Sequence, residues 1–211
     1  MGGIVKLLLT AREYPVPTGM TIEVREVDID MLPVYAELPN SFKVESELRV
    51  EPIDGGLGGL VLVEQMVKPY IKYDEPETDP PEKWPSLFGE DRLGVLMAFR
   101  GTRPVGGTTL ILGFQPGITT PFDKDGIAAL WDIRVHPDER RSGIGSLLLG
   151  RSALWARERG CTYMRIETQN TNVPACKFYA KNSCILIAVH RQGYASTKLA
   201  HESMLLWHLD L

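Results

Sequence analysis

Residues 140–145 read Arg-Arg-Ser-Gly-Ile-Gly, between the apolar run Ile127–Val135 and an amphipathic segment that begins at Ile144. The order is that of a strand, a turn through His136-Pro137, a basic loop and a helix. The first N–H groups of a helix have no intrahelical acceptor, and the helix dipole adds partial positive charge at that end. Small residues at Ser142, Gly143 and Gly145 leave those donors uncovered. The main chain from Ser142 through Ile144 to Ser146 then offers a cradle for a phosphate or diphosphate. Arg140 and Arg141 add charge-assisted hydrogen bonds. A plain, solvated helix start would use the same residues, and the strand, loop and helix context is what favours the cradle. A dinucleotide fold fits less well, because Leu148 stands where a third glycine belongs.

Other reactive residue types lack a supporting pattern. His136, His190, His201 and His208 show no zinc-like spacing, so no metal site is expected. Cys161, Cys176 and Cys184 form no C-x-x-C pair, and such an odd, unframed set points to reduced thiols. Cys176 with a distant histidine would make a nucleophile, but a small buried helix residue is the simpler account. Neither G-x-S-x-G nor a Walker motif occurs. A net charge of -4 without a long basic stripe argues against a nucleic-acid partner. The mild acidic excess suits a cationic substrate as well as it suits solubility. No apolar stretch approaches membrane-spanning length, and Ile4–Leu9 is too short for a secretory segment. A soluble cytoplasmic protein with no membrane partner is expected.

A cradle of this kind needs a sheet with helices on its faces. With 211 residues, 44% hydrophobic and 24% charged, the chain can bury a sizeable core. No repeat or linker divides it, so residues 1–211 read as a single domain of mixed α/β (α+β) class, with 1–20 as an N-terminal extension. Thr21–Val27 alternates like a half-buried strand. Asp28 is placed to cap a helix over Ile29–Leu38, which Pro33 makes less regular. Ser41–Val50 alternates weakly, and Leu60–Val67 is an apolar segment after a Gly55–Gly59 turn. Residues 68–92 carry prolines and mixed charge and read as a loop or lid, or equally as a disordered insertion.

Leu93–Arg100 and Val105–Gly113 make an antiparallel hairpin. A loop then holds Asp123 and Asp125, which would help to collect a cation or simply form turns. Ile127–Val135 is the strand that feeds the cradle, and Gly160 stops the helix that leaves it. Next come a strand over Cys161–Thr168, a polar turn over Gln169–Asn172, and a helix over Val173–Lys181 with Pro174 in its first turn. Cys184–His190 and Ser203–Leu209 are the last strands.

The basic loop resembles the acyl-CoA loop of the GNAT superfamily of N-acetyltransferases. That pattern is Arg or Gln, two residues, Gly, one residue, then Gly or Ala, and Arg140, Gly143 and Gly145 fill those places. A second cluster holds Glu167-Thr168-Gln169, Asn172, Pro174-Ala175-Cys176 and Phe178-Tyr179. Asn172, Ala175 and Tyr179 match the family's Asn, Ala and Tyr, and the whole string is similar to that of the streptothricin acetyltransferases. The resemblance covers roughly the last 120 residues, a domain-sized share.

It implies a central mixed, twisted sheet with two splayed central strands, flanked by helices. It also implies acetyl-CoA as cosubstrate, its pyrophosphate held by Arg140–Ser146 and its pantetheine lying along the unpaired main chain of the split. Asn172, Ala175 and Tyr179 would line that cofactor. The implied activity is acetyl transfer to a primary amine of a small cationic molecule, streptothricin-type antibiotics included. An acetyltransferase for a metabolite or protein amine, a CoA-binding sensor without turnover, and a homodimer all stay open.

The chemistry sets its own demands. A protonated amine has no lone pair, and an alkyl amine near pKa ~10 is mostly protonated at neutral pH. Asp132 is the first candidate to contact or deprotonate it and Glu167 the second, although an ion-pair role fits either as well. Main-chain N–H groups over Ile133, Arg134 and Val135 are the expected oxyanion donors. By resemblance, Tyr179 would protonate the departing thiolate, while Asn172 also suits capping its helix. Two departures from the family pattern stand out. Ser183-Cys184 replaces the usual Gly-Phe, so the chain after that helix is expected to turn differently. Trp131 replaces a carboxylate common just before the Asp of this strand, which leaves the identity of the base open.

Overall fold

The computed structural model describes residues 21–73, 80–113 and 126–211. The expected N-terminal extension, together with Asp123 and Asp125, lies outside them. The strands are β1 (Ile22–Val27), β2 (Ser41–Pro52), β3 (Leu60–Tyr73), β4 (Leu93–Arg100), β5 (Arg103–Leu112), β6 (Ile127–Val135), β7 (Tyr163–Gln169), β8 (Ile185–His190) and β9 (Met204–Asp210). The helices are α1 (Leu32–Ala36), α2 (Trp84–Phe88), α3 (Ile144–Glu158) and α4 (Val173–Lys181). A single mixed α/β domain results. Its main sheet has seven strands in the order β1-β4-β5-β6-β7-β9-β8, and β2 with β3 forms a separate hairpin.

β6 and β7 run parallel, and every other neighbouring pair is antiparallel. The central strands read as unbroken apolar runs because helices cover both faces. One face gathers Leu96, Leu110, Leu130, Met164, Ile166 and Leu205 beneath α3 and α4, with Trp155 and Tyr179. The other gathers Val95, Met97, Phe99, Ile111 and Ala129 beneath α1 and α2, with Leu32, Tyr35 and Trp84. Full burial of each such side chain stabilises by about 1.5–3 kcal/mol, so neither layer is dispensable. No helix among the described residues is long and apolar enough to cross a membrane.

Several segments differ from the sequence expectation. The helix expected over 29–38 is a 3-10 turn over Ile29–Met31 followed by the short α1. Asp28 caps the turn by accepting from the Asp30 N–H, and Pro33 falls in the first turn of α1, where its missing N–H has no partner to lose. The segment expected as a loop over 68–92 is largely regular: Lys68–Tyr73 completes β3, and Pro81–Lys83 and α2 are helical turns that bury Trp84. Prolines at 69, 81 and 85 misled, because one lies in the free edge strand of a hairpin and the others open helical turns, positions where proline is tolerated. The turn after α4 is also unlike the expectation. Ser183 takes a φ of 66°, the left-handed conformation that a glycine would supply, and Cys184 is buried in the core. For a residue with a side chain that conformation costs roughly 1–2 kcal/mol.

Candidate functional site

β6 and β7 pair only from Ile127↔Tyr163 to Leu130↔Ile166. Beyond that register β6 continues to Val135 beside β5, and β7 continues to Gln169 beside β9, so the sheet splits down its middle. The residues of a strand present their main-chain groups alternately to its two edges. The His136 N–H donates to Val105 O on β5 at 2.9 Å. By that alternation the main-chain groups of Ile133 and Val135 face the split, and those of Arg134 face β5. Of the three residues expected to supply an oxyanion donor, two are therefore available.

The cradle stands at the end of β6. Gly143 is the N-cap of α3, with φ 91° and no side chain to cap the helix, and nothing lies within 4 Å of the place a Cβ would occupy. The N–H groups of Ile144, Gly145 and Ser146 begin the helix and have no intrahelical acceptors. A Cβ on Gly145 would lie 3.3 Å from the Phe178 ring, so glycine there lets the start of α3 sit close to α4. Arg141, Ser142 and Gly143 are exposed, and Arg141 adopts φ 64°. Uncovered N–H groups at a helix start beside an exposed arginine make a main-chain surface of positive potential, the kind that suits a phosphate group.

The two arginines have different tasks. Arg140 donates from Nε to Val135 O at 3.1 Å and from a terminal nitrogen to Ser41 O at 2.7 Å, which pins the loop to β6 and to the start of β2. Arg141 remains the exposed cation at the rim. A further brace comes from Arg100, which grips Glu139 through two bonds of 3.1 and 2.8 Å. That guanidinium holds the Glu139 carboxyl below its usual range. Ser142 Oγ donates to Glu139 O at 2.5 Å and closes the turn.

Asp132 is placed by a bulge. Thr109 pairs with Asp132 and Leu110 with Leu130, so Trp131 is the extra residue, and both Trp131 and Asp132 turn toward α1 and α2. Asp132 Oδ1 accepts from Tyr35 Oη at 2.7 Å and from Arg134 Nε at 3.0 Å. Its Oδ2 accepts from Arg134 at 3.0 and 3.1 Å and from Asn40 Nδ2 at 3.3 Å. Two carboxylate oxygens offer about four lone-pair sites, and these donors fill them. To take a proton from a substrate, Asp132 would have to abandon an arginine only 2% exposed. It is an ion-pair anchor rather than an open base. The Arg134 side chain is committed to Asp132 and to Leu38 O at 3.2 Å. Burial, followed by the Asp132 charge, pushes the Tyr35 hydroxyl well above its ordinary range and keeps it a neutral donor.

Glu167 lies on the other wall of the split. It is half-buried on β7 and accepts a hydrogen bond from Tyr194 Oη. Beyond β7, Asn172 Oδ1 caps α4 by accepting from Ala175 N–H at 3.2 Å. One turn later Tyr179 is 4% exposed, its ring 6.0 Å from that of Trp207. The β2–β3 hairpin is tied across this end of the split. Leu48 N–H donates to Asn170 O at 2.9 Å, and Lys72, itself buried, reaches buried Glu202 at 2.6 Å. Cys161, Cys176 and Cys184 are free and buried, and burial pushes the Cys176 thiol up to about 12, which removes it as a nucleophile.

Tyr35 and Tyr194 were not singled out by sequence reasoning, and Asn40 carried only a family resemblance, through Asn40-Ser41-Phe42, with no role at the site. Tyr35 follows Leu32 at helical spacing and so looks like a core aromatic, and Tyr194 sits in a run without periodicity.

The fold and parts of the chain match known proteins. Streptothricin acetyltransferase A of Bacillus subtilis (strain 168) is 37% identical over 84 residues, which is 40% of this chain and 49% of that protein. Streptothricin acetyltransferase of Streptomyces lavendulae is 40% identical over 68 residues, 31% of this chain and 36% of that one. The chain thus spans about half the length, or less, of these curated relatives. Among solved structures, nourseothricin acetyltransferase superposes with a TM-score of 0.68 at 22% identity, over 90% of this chain and 98% of that one. A Bacillus anthracis str. Ames protein, described as a streptothricin acetyltransferase and solved with acetyl coenzyme A, gives 0.71 at 22% identity, over 92% and 99%. The sequence profile of the Acetyltransferase (GNAT) family matches residues 61–183, more than half of the chain, and the chain belongs to that family.

Proposed function

We propose that this protein moves an acetyl group from acetyl-CoA to a primary amine of a small cationic molecule, of which streptothricin-type antibiotics are the favoured example. The observation that carries this reading is the uncapped, glycine-opened start of α3 standing beside a split between parallel strands. Relatives named for streptothricin acetylation and a like fold solved with acetyl coenzyme A support it.

The chain's own residues divide the work. The main chain of Ser142–Ser146, with Arg141 at the rim, would hold the pyrophosphate, and Arg140 fixes the loop in place. When bound, acetyl-CoA supplies an activated thioester. The Ile133 and Val135 N–H groups, turned into the split, are the donors for negative charge developing on its carbonyl oxygen. Glu167, rather than the saturated Asp132, is the carboxylate placed to draw a proton from the substrate ammonium, directly or through water. Tyr194 orients Glu167. Tyr179, on the α4 wall, is the phenol for the departing thiolate. Asn172 shapes that wall by capping α4.

The test is acetyl-CoA consumption, read as free thiol, over a panel holding streptothricin, polyamines, amino acids and peptides with free N-termini. Rapid turnover of streptothricin with loss of its antibiotic activity supports the reading. Preference for a metabolite or peptide amine would move the acceptor, and binding without turnover of any amine would make the protein a CoA sensor.

A further inference from the structure

The split has two mouths, and the one facing α1 and α2 is chemically unusual. Leu130 and Ile166 form the last paired register between β6 and β7, and both point into the α3 and α4 face. The residues that follow them, Trp131 and Glu167, therefore stand on the opposite face, side by side where the strands begin to part. Gln169 shares that face by the alternation of β7, and its Oε1 is buried with no hydrogen-bond partner among the described residues. An amide oxygen left in that condition needs an N–H donor.

Trp131 is held in place without being swallowed. Its ring meets Phe88 edge-on at 4.8 Å and Trp84 at 6.4 Å. Trp84 is buried at 3% exposure, whereas Trp131, beside the point where the strands part, is only half-buried. Asp132 beside it brings no attraction for a cation, because Arg134 neutralises it. At this mouth the groups that favour positive charge and N–H donors are an indole, a carboxylate and an unsatisfied amide oxygen.

We infer that Trp131 and Gln169 flank Glu167 as a specificity subsite for the acceptor, Trp131 stacking against a cationic group and Gln169 taking an N–H from it. This deepens the proposed acetyltransferase reading and rests on it for the location of the reacting amine. Indole faces attract ammonium and guanidinium groups within about 6 Å of the ring centroid, more strongly when water is excluded.

The experiment compares wild type, Trp131→Leu and Trp131→Phe, each saturated with coenzyme A and titrated calorimetrically with streptothricin, and then assayed for turnover with streptothricin and with the neutral-bodied amine benzylamine. The inference predicts that Trp131→Leu weakens streptothricin binding and raises its KM by roughly tenfold, in line with a desolvated cation–π contact. Coenzyme A affinity and benzylamine kcat should stay unchanged, and Trp131→Phe should recover most of the loss. Gln169→Leu should weaken streptothricin binding in the same direction. Equal streptothricin affinity in Trp131→Leu and wild type would overturn the inference even if turnover is rapid. Lost binding in Trp131→Leu, with no turnover in wild type, would instead uphold the subsite and defeat the acetyltransferase reading. Equal losses toward both amines would mark Trp131 as packing only and overturn it as well.

Discussion

The cradle for a diphosphate is made by one continuous stretch, Val135 to Ser146, and works through main-chain N–H groups that missing side chains expose. The opposite mouth of the split works through side chains, and it collects them from afar: Tyr35 and Asn40, Trp131 and Asp132, Glu167, Gln169 and Tyr194. A main-chain site needs mostly local backbone geometry, and distant contacts such as Arg140 to Ser41 O and Arg100 to Glu139 only brace it. A side-chain site needs every strand in register, and it inherits any error in the fold. The first is suited to a group common to all reactions of an enzyme, the second to an acceptor that differs from one enzyme to the next.

The largest expected effect that separates the two regions is at Glu167. Glu167→Gln should lower kcat/KM for the acceptor by about a hundredfold to ten-thousandfold, the usual range for a lost general base. Acetyl-CoA affinity, measured separately, should not move. A drop in both would mean that the two regions are not independent.

Asp132→Asn tests whether the carboxylate beside Trp131 is an anchor. It leaves Arg134, nearly inaccessible, without its counter-charge, and removal of one partner of such a pair typically destabilises by about 3–5 kcal/mol. Urea unfolding should show a loss of that order, while the shape of the pH profile of turnover in the folded enzyme is retained. A flattened pH profile with unchanged stability would make Asp132 the base after all.

The smallest effect is expected outside both regions compared, in the turn that follows α4. Ser183→Gly relieves a left-handed φ of 66° and should raise stability by about 0.5–1 kcal/mol, after the extra freedom that glycine gives the unfolded chain is offset. Turnover should be unaffected. A loss of stability would show that the serine side chain makes a contact worth more than the strain.

The same contrast explains what could be read from the residues alone. Ile127–Val135, the glycines at 143 and 145, the Gly160 stop and the Val173–Lys181 helix were legible, because each is a local pattern with a local physical cause. Asp132 and Glu167 were legible as carboxylates near the chemistry, but their states were not. Whether a carboxylate is open or saturated depends on partners such as Tyr35 and Asn40, more than ninety positions away. Trp131 read only as the loss of a carboxylate, because the bulge that turns it toward α1 and α2 is a register shift between β5 and β6, invisible in one strand's pattern. The segment after Lys68 misled for the converse reason. Its prolines suggest a loop, yet they occupy an edge strand and helix starts that a proline fits.

The central claim is that the opened start of α3 grips the diphosphate of coenzyme A. Calorimetry of acetyl-CoA with wild type and Gly143→Glu tests it most directly, since the space at that Cβ is open and the strain of a left-handed residue is roughly 1–2 kcal/mol. Wild type should bind with measurable heat. Gly143→Glu, still folded by circular dichroism, should bind at least about a hundredfold more weakly, the equivalent of losing two charge-assisted hydrogen bonds. No heat from wild type, or equal affinity in the two proteins, would contradict the account.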